Sequence, residues 1–348
     1  MHIVILTQVL DRQDAVLGFF HRWCEVIAGH VDRLTVVAQR VGDVQLPANV
    51  DVVSLGKERG AGLVGMEARL IACLSGLTGA RRPDAVLAHM VPKFVLYAWP
   101  VTTLRRIPVY LWYTHKGVDW ALRAAVPRVR KVFTASEESF RLESGFGKRV
   151  VTGHGIDCRH FSPTDAAAEV DVLSVGRLAP SKGHHEVLDA VAALPGERSV
   201  EIAGEVLLDQ DRAYREQLEA RVAAMPAARL LGAVSYPEIN AVMRRSRVLV
   251  NASRTGSVDK VVLEAMACGT PCLTCNESFE RVLGTALAER LMFPMGDVAA
   301  LGAKLAGLLA ASEDERRALG AELRARVQAE HDLEALAPKL VDAMRPAS

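Results

Sequence analysis

The feature that most constrains this chain is a repeated alternation of short apolar segments with amphipathic ones. In the first half, seven apolar, β-branched segments are predicted strands: Ile3–Leu6, Leu34–Ala38, Val50–Ser54, Ala85–His89, Val109–Trp112, Lys131–Thr134 and Arg149–Thr152. Helical periodicity lies between most of them, for example over Ala15–Ala28 and Gly62–Leu77. Short strands without polar alternation are typical of a parallel sheet that helices cover on both faces. The pattern therefore predicts an α/β fold.

A Pro-containing stretch, Phe161–Glu169, interrupts the alternation, which then resumes. The second series of predicted strands is Val170–Val175, Val200–Ala203, Ala228–Leu230, Val248–Asn251 and Pro271–Thr274. The tail, Ser312–Met344, is rich in Ala, Glu, Arg and Leu and is predicted to form two helices. A chain of 348 residues is long enough for two such domains. We place them at 1–163 and 164–330, and we expect a C-terminal helix over 331–348 to pack back on the N-terminal domain.

Composition and charge narrow the class of protein further. Half of the residues are hydrophobic and the mean hydropathy is +0.15, which excludes long disordered regions. The net charge is only +1, but residues 1–160 carry +7 and residues 161–348 carry −6. The basic half is therefore expected to face an anionic partner.

Zinc-binding, membrane-spanning and secreted classes find no support in the sequence. Three cysteines lie between Cys268 and Cys275, but no second pair and no nearby His completes a zinc site, so we expect reduced, mostly buried thiols. The most membrane-like window, Ala85–Leu104, contains Lys93 and two prolines, which favours a strand followed by a helix. The first apolar segment breaks at Asp11 and lacks a preceding basic region, so it fits a core strand better than a signal peptide. We expect a cytoplasmic protein.

The most informative loop is Gly176–Gly183, which follows a predicted strand and begins a helix. Gly176 permits a tight turn, and Arg177 and Lys182 then lie five residues apart at the helix N-terminus. Two cations, free backbone amides and the positive end of a helix dipole form a site for a polyanion, most naturally a diphosphate. The alternative is an ordinary loop with solvated basic side chains. The P-loop pattern Gly-x4-Gly-Lys-Ser/Thr is absent.

A second polar loop, Ser253–Asp259, precedes a predicted helix that Gly269-Thr-Pro271 ends. Glu264 falls about a turn and a half inside this helix, between apolar neighbours. A carboxylate in that position needs a partner, because an unpaired buried charge costs several kcal/mol. The partner is either a pair of hydroxyls on a ligand or a local Arg in a salt bridge.

Together these segments resemble the nucleotide-sugar domain of retaining glycosyltransferase family 4, which has the GT-B fold. The motifs that carry the resemblance are Gly176-Arg177-x4-Lys182-Gly183, Glu264-Ala-Met-Ala-Cys-Gly-Thr-Pro271, Gly155-Ile-Asp157 with Phe161-Ser-Pro163, Leu231-Gly232 with Tyr236-Pro-Glu238-Ile, and Leu111-Trp-Tyr-Thr-His115-Lys. The similarity is strong over about 150–330 and weaker over 1–150. It implies two Rossmann-like parallel-sheet domains facing each other across a cleft, the first binding the acceptor and the second the nucleotide sugar.

The resemblance implies a role for each candidate residue. Arg177 and Lys182 would neutralise the diphosphate leaving group, with no metal ion or other cofactor. Glu264 would accept hydrogen bonds from the ribose hydroxyls. His115, in the first domain, would face the donor sugar, and the alternative is a hydrogen-bonded histidine at a strand end. The other candidate substrate-binding residues are Gly176, Gly256, Ser257, Val258, Asp259 and, where the family has a turn after its first strand, Gly18.

The chain departs from the family pattern at two places. The family signature has two glutamates separated by seven residues, and the first would fall at position 256, where this chain has Gly256. The nearest carboxylate, Asp259, either contacts the sugar or caps the next helix, and we favour the cap. The opening Gly-Gly pair is also missing, with Gln8–Gly18 in its place. Asp209-Gln-Asp211 matches a metal motif of the GT-A fold. We expect these acidic residues to interact favourably with the dipole at the N-terminus of the following helix instead.

The resemblance implies a retaining glycosyltransferase that moves a sugar from a UDP- or GDP-sugar to an acceptor hydroxyl, in glycan or glycolipid biosynthesis. One alternative is an epimerase or phosphorylase of the same fold. Another is a non-catalytic subunit that binds sugar nucleotides, which the Gly256 replacement suggests. A nicotinamide dehydrogenase is disfavoured, because no Gly-x-Gly-x-x-Gly follows the first predicted strand.

The basic half contains a cationic window, Lys93–Lys131, with eight Lys and Arg and one acidic residue. Aromatic residues are interleaved with the basic ones, among them Trp99, Trp112, Tyr113 and Trp120. Either it is a solvated face or it attaches the protein to anionic lipid at the inner face of a membrane, which would suit a lipid-linked acceptor. No recognition module for nucleic acid accompanies this charge, so a nucleic-acid partner is not expected.

Overall fold

The computed structural model describes residues 1–254 and 256–345, and the chain divides into two compact units. The first unit consists of Met1–Asp157 together with the C-terminal segment from His331. The second unit is Cys158–Glu330. Each unit is an α/β domain built on a parallel sheet, the fold class that the alternating pattern predicts.

The elements of the first unit alternate along the chain. In order they are β1 (His2–Leu10), α1 (Phe19–Ala28), β2 (Arg33–Val41), β3 (Val50–Ser54), α2 (Leu63–Gly76), β4 (Ala85–His89), α3 (Pro92–Leu104), β5 (Val109–Trp112), α4 (Trp120–Ala125), β6 (Val132–Thr134) and β7 (Arg149–Val151). Short 3-10 turns connect several of them.

The second unit continues the alternation and ends in a helical region. Its elements are β8 (Val170–Val175), α5 (His184–Ala192), β9 (Val200–Ala203), α6 (Arg212–Ala223), β10 (Ala228–Gly232), α7 (Tyr236–Arg244), β11 (Ser246–Asn251), α8 (Lys260–Ala267), β12 (Cys272–Thr274), α9 (Glu280–Leu291), α10 (Val298–Ala310) and α11 (Glu313–Glu330). The chain then returns to the first unit with α12 (Leu333–Met344).

The sheet of the first unit has the strand order β3-β2-β1-β4-β5-β6-β7, and its strands pair in parallel. In β1, Ile3 and Ile5 pack into one hydrophobic cluster while Val4 and Leu6 pack into another. Both faces of this strand are therefore covered, which explains why its sequence lacks polar alternation.

Helix α12 belongs to the core of the first unit. Leu336 and Leu340 share one hydrophobic cluster with Ile3 and Phe20. The side chain of Asp332 accepts a hydrogen bond from the backbone of Glu334 and so caps the helix. The last turn of the chain is thus tied to the first strand by apolar contact.

The sheet of the second unit has the order β10-β9-β8-β11-β12, again with parallel pairing. Strand β8 lies between β9 and β11, so the direction of strand order reverses at this point. Ligands of open α/β sheets bind outside the carboxyl ends of the strands at such a switch point. The loops that follow β8 and β11 are therefore the place to look for a site.

The membrane-like window Ala85–Leu104 folds as β4 followed by α3, with Pro92 in the first turn of the helix. Across residues 1–254 and 256–345, no helix is both long and apolar enough to cross a bilayer. All six cysteines have free thiols, and each of them is at least partly buried.

Candidate functional site

The two loops at the switch point are joined by their backbones. The amide of Arg254 donates to the carbonyl oxygen of Ser181 at 2.9 Å. Gly183 has a positive φ of 65°, and a Cβ there would lie 2.6 Å from the carbonyl oxygen of Ala252. Only glycine fits this position, because any side chain would meet the backbone of the second loop. The sequence thus brings the two predicted loops together at the carboxyl ends of β8 and β11.

A second glycine keeps the strand ends close. The Gly176 amide donates to the carbonyl of Ala203 at 3.0 Å, which continues the pairing beyond β8. A Cβ on Gly204 would lie 1.8 Å from the carbonyl oxygen of Gly176. Gly204 does not stand out in the sequence, because a lone glycine after a strand has many explanations.

Arg177 lies partly buried directly after Gly176. Its carbonyl accepts a hydrogen bond from the amide of Ala179, but within the described part of the chain its guanidinium has no hydrogen-bond or ion-pair partner. A planar cation with five donors, held at a strand end without a protein acceptor, is suited to a phosphate or carboxylate of a ligand.

Lys182 contacts the second loop directly. Its Nζ donates to Oδ1 of Asp259 at 3.0 Å and to Oγ of Ser253 at 3.1 Å. The Lys182 and Asp259 side chains are only 14% and 11% exposed, so this ion pair is shielded from solvent. The alkyl chain of Lys182 passes Gly176, where an added Cβ would lie 3.4 Å from Cδ. The structure therefore brings Gly176, Lys182 and Asp259 together.

The favoured interpretation of Asp259 as a helix cap is wrong. Asp259 occupies the N-cap position of α8, but its side chain makes no capping hydrogen bond. One carboxylate oxygen accepts from Lys182 instead, and the other lies 3.4 Å from Nδ2 of Asn276. A charged partner from another loop outcompetes the local amides, because a charge-assisted bond between shielded groups is the stronger one.

A buried histidine forms a hydrogen bond with the backbone of the loop that follows β8. His184 Nδ1 lies 2.9 Å from Oγ of Ser174, and its Nε2 lies 3.1 Å from the carbonyl oxygen of Arg177. Burial lowers the pKa of His184 to about 4. The ring is therefore neutral near pH 7, and it holds the Arg177 backbone in place.

Sequence reasoning missed an ion pair beside this loop. The Arg254 guanidinium donates to Glu186, which is 5% exposed on α5. The two residues lie in different loops and elements, and no spacing pattern connects them. The pair is a further link between the segment after β11 and helix α5.

The loop that contains Gly256, Ser257 and Val258 is held by two polar side chains that follow β12. Asn276 Nδ2 donates to the carbonyl of Ser257 at 2.6 Å, and Ser278 Oγ donates to the carbonyl of Gly256 at 2.9 Å. Gly256 has a φ of 64°, and Val258 is buried. The φ of Gly256 favours glycine, so a glutamate here would be strained as well as different in charge.

Glu264 is buried on α8 and has a partner. It forms an ion pair with Lys260 one turn earlier, not with an arginine as the sequence analysis considered. Lys260 also lies over two aromatic rings, 5.3 Å from the Tyr236 centroid and 6.0 Å from that of Phe161. The carboxylate is thus neutralised inside the second unit, close to aromatic side chains.

His115 and Gly18 lie in the first unit. His115 is exposed just beyond β5, and its Nδ1 accepts from the amide of Gly117 at 2.9 Å. Gly18 precedes α1 with a helical φ of −56°, and its amide donates to the carbonyl of Asp14. The turn before α1 is therefore helical at Gly18.

The first aspartate of the GT-A-like motif Asp209-Gln-Asp211 forms a local ion pair. Asp209 accepts from Arg212 at 2.7 Å, and residues Asp209–Asp211 form a short 3-10 turn before α6. Over the described ranges, with position 255 and the last three residues left aside, no group of three His, Cys, Asp or Glu side chains is placed to hold a metal ion.

Comparison with known families identifies the second unit. Residues 160–326 match the family model described as glycosyl transferases group 1. The matched residues lie within the second unit and make up just under half of the chain. The chain is also 31% identical over 179 residues to glycogen synthase from Mycobacterium tuberculosis. That match covers 47% of this chain and 40% of the curated relative's length.

The similarity to solved structures extends over both units of the chain. HepE from Anabaena in complex with UDP and glucose has a TM-score of 0.75 and 18% identity, with 99% of both chains covered. Sucrose-phosphate synthase from Thermosynechococcus elongatus has a TM-score of 0.77 and 17% identity, covering 99% of this chain and 98% of that one. The two parallel-sheet domains are thus those of the GT-B fold.

Proposed function

We propose that this chain is a retaining glycosyltransferase that uses a UDP- or GDP-sugar without a metal ion. The observation that carries the proposal is the partly buried Arg177 guanidinium, which has no protein partner among the described residues and lies at the switch point of the group 1 domain. Lys182 follows on the same loop, and the proposal places the diphosphate beside both side chains. The HepE structure, a complex with UDP and glucose, supports the same ligand class.

In the proposed reaction the bond between the anomeric carbon and the leaving phosphate oxygen breaks. A bond from the acceptor oxygen to the anomeric carbon forms on the same face, and the acceptor proton passes to the departing diphosphate. Arg177 and Lys182 stabilise the negative charge that develops on that diphosphate. Electrostatic stabilisation of this kind is usually the largest single contribution to catalysis.

The remaining candidate residues take complementary roles in this proposal. Glu264 accepts hydrogen bonds from the ribose hydroxyls, with Lys260 as its permanent counter-charge. Backbone amides of Ser257 and Val258 hold the sugar beside Gly256. The first unit supplies His115 and the acceptor site, which includes the turn at Gly18.

We propose that the cationic window attaches the protein to anionic lipid, which would suit a lipid-linked acceptor. Trp120 is 65% exposed and Leu104 is 85% exposed, so apolar groups accompany the basic ones. Lys93 lies 5.6 Å from the ring centroid of Trp120, and Arg128 lies 4.7 Å from that of Trp99. This combination suits peripheral attachment to the anionic inner face of a membrane. Salt-sensitive sedimentation with anionic vesicles tests it, and no pelleting at low salt contradicts it.

The function is tested with a panel of UDP-, GDP-, ADP- and TDP-sugars, with and without EDTA. A donor that binds raises the melting temperature by mass action. We expect one UDP- or GDP-sugar to do so and to be consumed with an acceptor, and EDTA to leave the rate unchanged. Loss of activity with EDTA and rescue by manganese would contradict the metal-independent reaction. Turnover without any acceptor would favour the epimerase, and binding without turnover over an acceptor panel would favour the non-catalytic subunit.

A further inference from the structure

A basic cavity lies in the second unit, at the edge of the sheet where the strands begin. It has a volume of about 320 Å³, within the range of small-ligand sites. Five arginines contribute to its lining: Arg244, Arg247, Arg316, Arg317 and Arg324. The loop that holds Lys182 follows the opposite end of β8, so a six-residue strand of about 20 Å separates the two places.

Beside the cavity, the backbone of α11 closely approaches the residue that follows α8. Gly269 follows α8 with a φ of 75°, and a Cβ on Gly320 of α11 would lie 2.0 Å from the Gly269 carbonyl oxygen. This contact places the arginines of α11 beside the end of α7. Arg324 reinforces the arrangement by donating to the carbonyls of Phe161 at 2.6 Å and Cys158 at 2.8 Å.

Positive charge exceeds negative charge inside the cavity. Its acidic lining residues are Asp165 and Glu313. Arg316 and Arg317 share the single carboxylate of Glu313, at 2.9 Å and 3.2 Å. The cavity therefore holds five guanidinium groups and two carboxylates. This excess is local, because residues 158–330 as a whole carry a net charge of −4.

Arg244 is a lining arginine whose guanidinium is unpaired among the described residues. It ends α7 and is partly buried, and within ranges 1–254 and 256–345 its guanidinium has no hydrogen-bond acceptor or ion-pair partner. Arg247, by contrast, pairs with Asp171 at 3.2 Å, and Arg324 is committed to backbone carbonyls. A partly buried guanidinium among like charges is stabilised when an anion joins it.

We propose that this cavity binds a phosphate group, either free phosphate or a small phosphate ester. Arg244 binds the anion directly, and Arg317 contributes from the facing helix. The site is distinct from the diphosphate position beside Lys182 and does not depend on the proposed transfer reaction.

The test separates the two anion sites by mutation. The double variant Arg177→Ala, Lys182→Ala removes the loop cations, and calorimetry then measures binding of inorganic phosphate, pyrophosphate and glycerol phosphate. We expect binding to persist in this background and to weaken at least tenfold when Arg244→Ala is added, the loss expected for a hydrogen-bonded charge. Arg229→Ala, an exposed arginine of β10 outside the cavity, is the matched control and should leave affinity unchanged.

Further outcomes decide the proposal. Binding that the Arg177→Ala, Lys182→Ala variant abolishes, or that Arg244→Ala leaves unchanged, would overturn it. If Arg244→Ala fails to fold, Arg317→Glu replaces it, since this side chain is 54% exposed and its substitution is expected to preserve the core. An unchanged affinity in that variant would equally overturn the proposal. Either order of affinity supports it: tighter binding of glycerol phosphate identifies an ester as the ligand, and tighter binding of inorganic phosphate identifies free phosphate. Equal binding supports a site that recognises the phosphate group alone.

Discussion

Among the described residues the Arg177 guanidinium has no hydrogen-bond or ion-pair partner, so its removal should affect chemistry more than stability. We expect Arg177→Ala to lower kcat by roughly 10²–10³-fold, about 3–4 kcal/mol, as for loss of one charged transition-state contact. The melting temperature should move little, because no protein partner is left unpaired among the described residues. Steady-state kinetics with a thermal melt checks both expectations. A rate within tenfold of the wild type would remove Arg177 from the leaving-group site.

The Lys182–Asp259 ion pair changes what we expect from Asp259→Asn. A helix cap would tolerate asparagine, which caps nearly as well as aspartate. The structure instead gives Asp259 the task of orienting Lys182, and the substitution removes a charged hydrogen bond worth about 1.5–3 kcal/mol. We therefore expect kcat/KM to fall at least about tenfold. A change of less than twofold would mean that Ser253 alone positions the lysine.

Glu264 offers a test that separates ligand binding from stability. We expect Glu264→Ala to lower kcat/KM at least a hundredfold, because no other described carboxylate on α8 replaces its proposed ribose contact. Lys260→Met is the matched control, since it breaks the same ion pair but keeps the carboxylate. This control should retain activity within tenfold. Equal losses in the two variants would show that the ion pair, and not the ribose contact, matters.

At the residue level the sequence could locate the site but not its contacts. Arg177, Lys182 and Glu264 stand in local patterns of strand, glycine and helix, and such patterns are visible along the chain. The partner of Lys182 lies 77 residues away, and its identity depends on the order of strands in the sheet. Glu264 pairs with Lys260 rather than with an arginine, and the i, i+4 spacing of these two residues is visible in the sequence.

At the level of elements, the strands were the most predictable part of the fold. The predicted segments Val50–Ser54 and Val170–Val175 match the observed strands residue for residue, because short segments rich in β-branched residues favour strands. Helix starts were less predictable. The pattern suggested α1 from Ala15, but Asp14 binds the amides of Val16 and Leu17 and delays the regular helix to Phe19.

The contact between strand ends predicts the cost of one substitution. Gly204→Ala would force a Cβ to within 1.8 Å of a backbone oxygen, so the backbone must shift. We expect the free energy of unfolding to fall by about 1–3 kcal/mol, as for an overpacked site. Gly307→Ala, in open space on α10 of the same unit, is the control and should be neutral or slightly stabilising. Urea midpoints measure both, and equal midpoints would contradict the steric argument.

At the level of the whole molecule, both units contain buried neutral histidines. In the first unit, burial lowers the pKa of His89 and of His331 to about 3. His331 Nδ1 accepts from the amide of His154 at 3.1 Å, while its Nε2 finds no partner in the described part of the chain. In the second unit, burial lowers the pKa of His184 to about 4. Protonating any of them in the folded state is costly, because a buried cation lacks solvation.

These histidines predict that stability falls as the solution becomes acidic. In the unfolded chain they take up protons near their ordinary pKa of about 6.5, whereas the folded protein does not until pH 3–4. Between those values the unfolded state binds more protons, so each histidine costs up to about 1.4 kcal/mol per pH unit below 6.5.

We therefore expect the melting temperature to be steady above pH 7 and to fall between pH 6.5 and 5. His184→Gln should flatten that fall, because an amide replaces the ring without a titrating group and can still donate to the Arg177 carbonyl. His30→Gln, at an exposed position, is the control and should leave the profile unchanged. Thermal melts across this pH range decide the matter, and a His184→Gln profile parallel to that of the wild type would show that other groups govern the acid response.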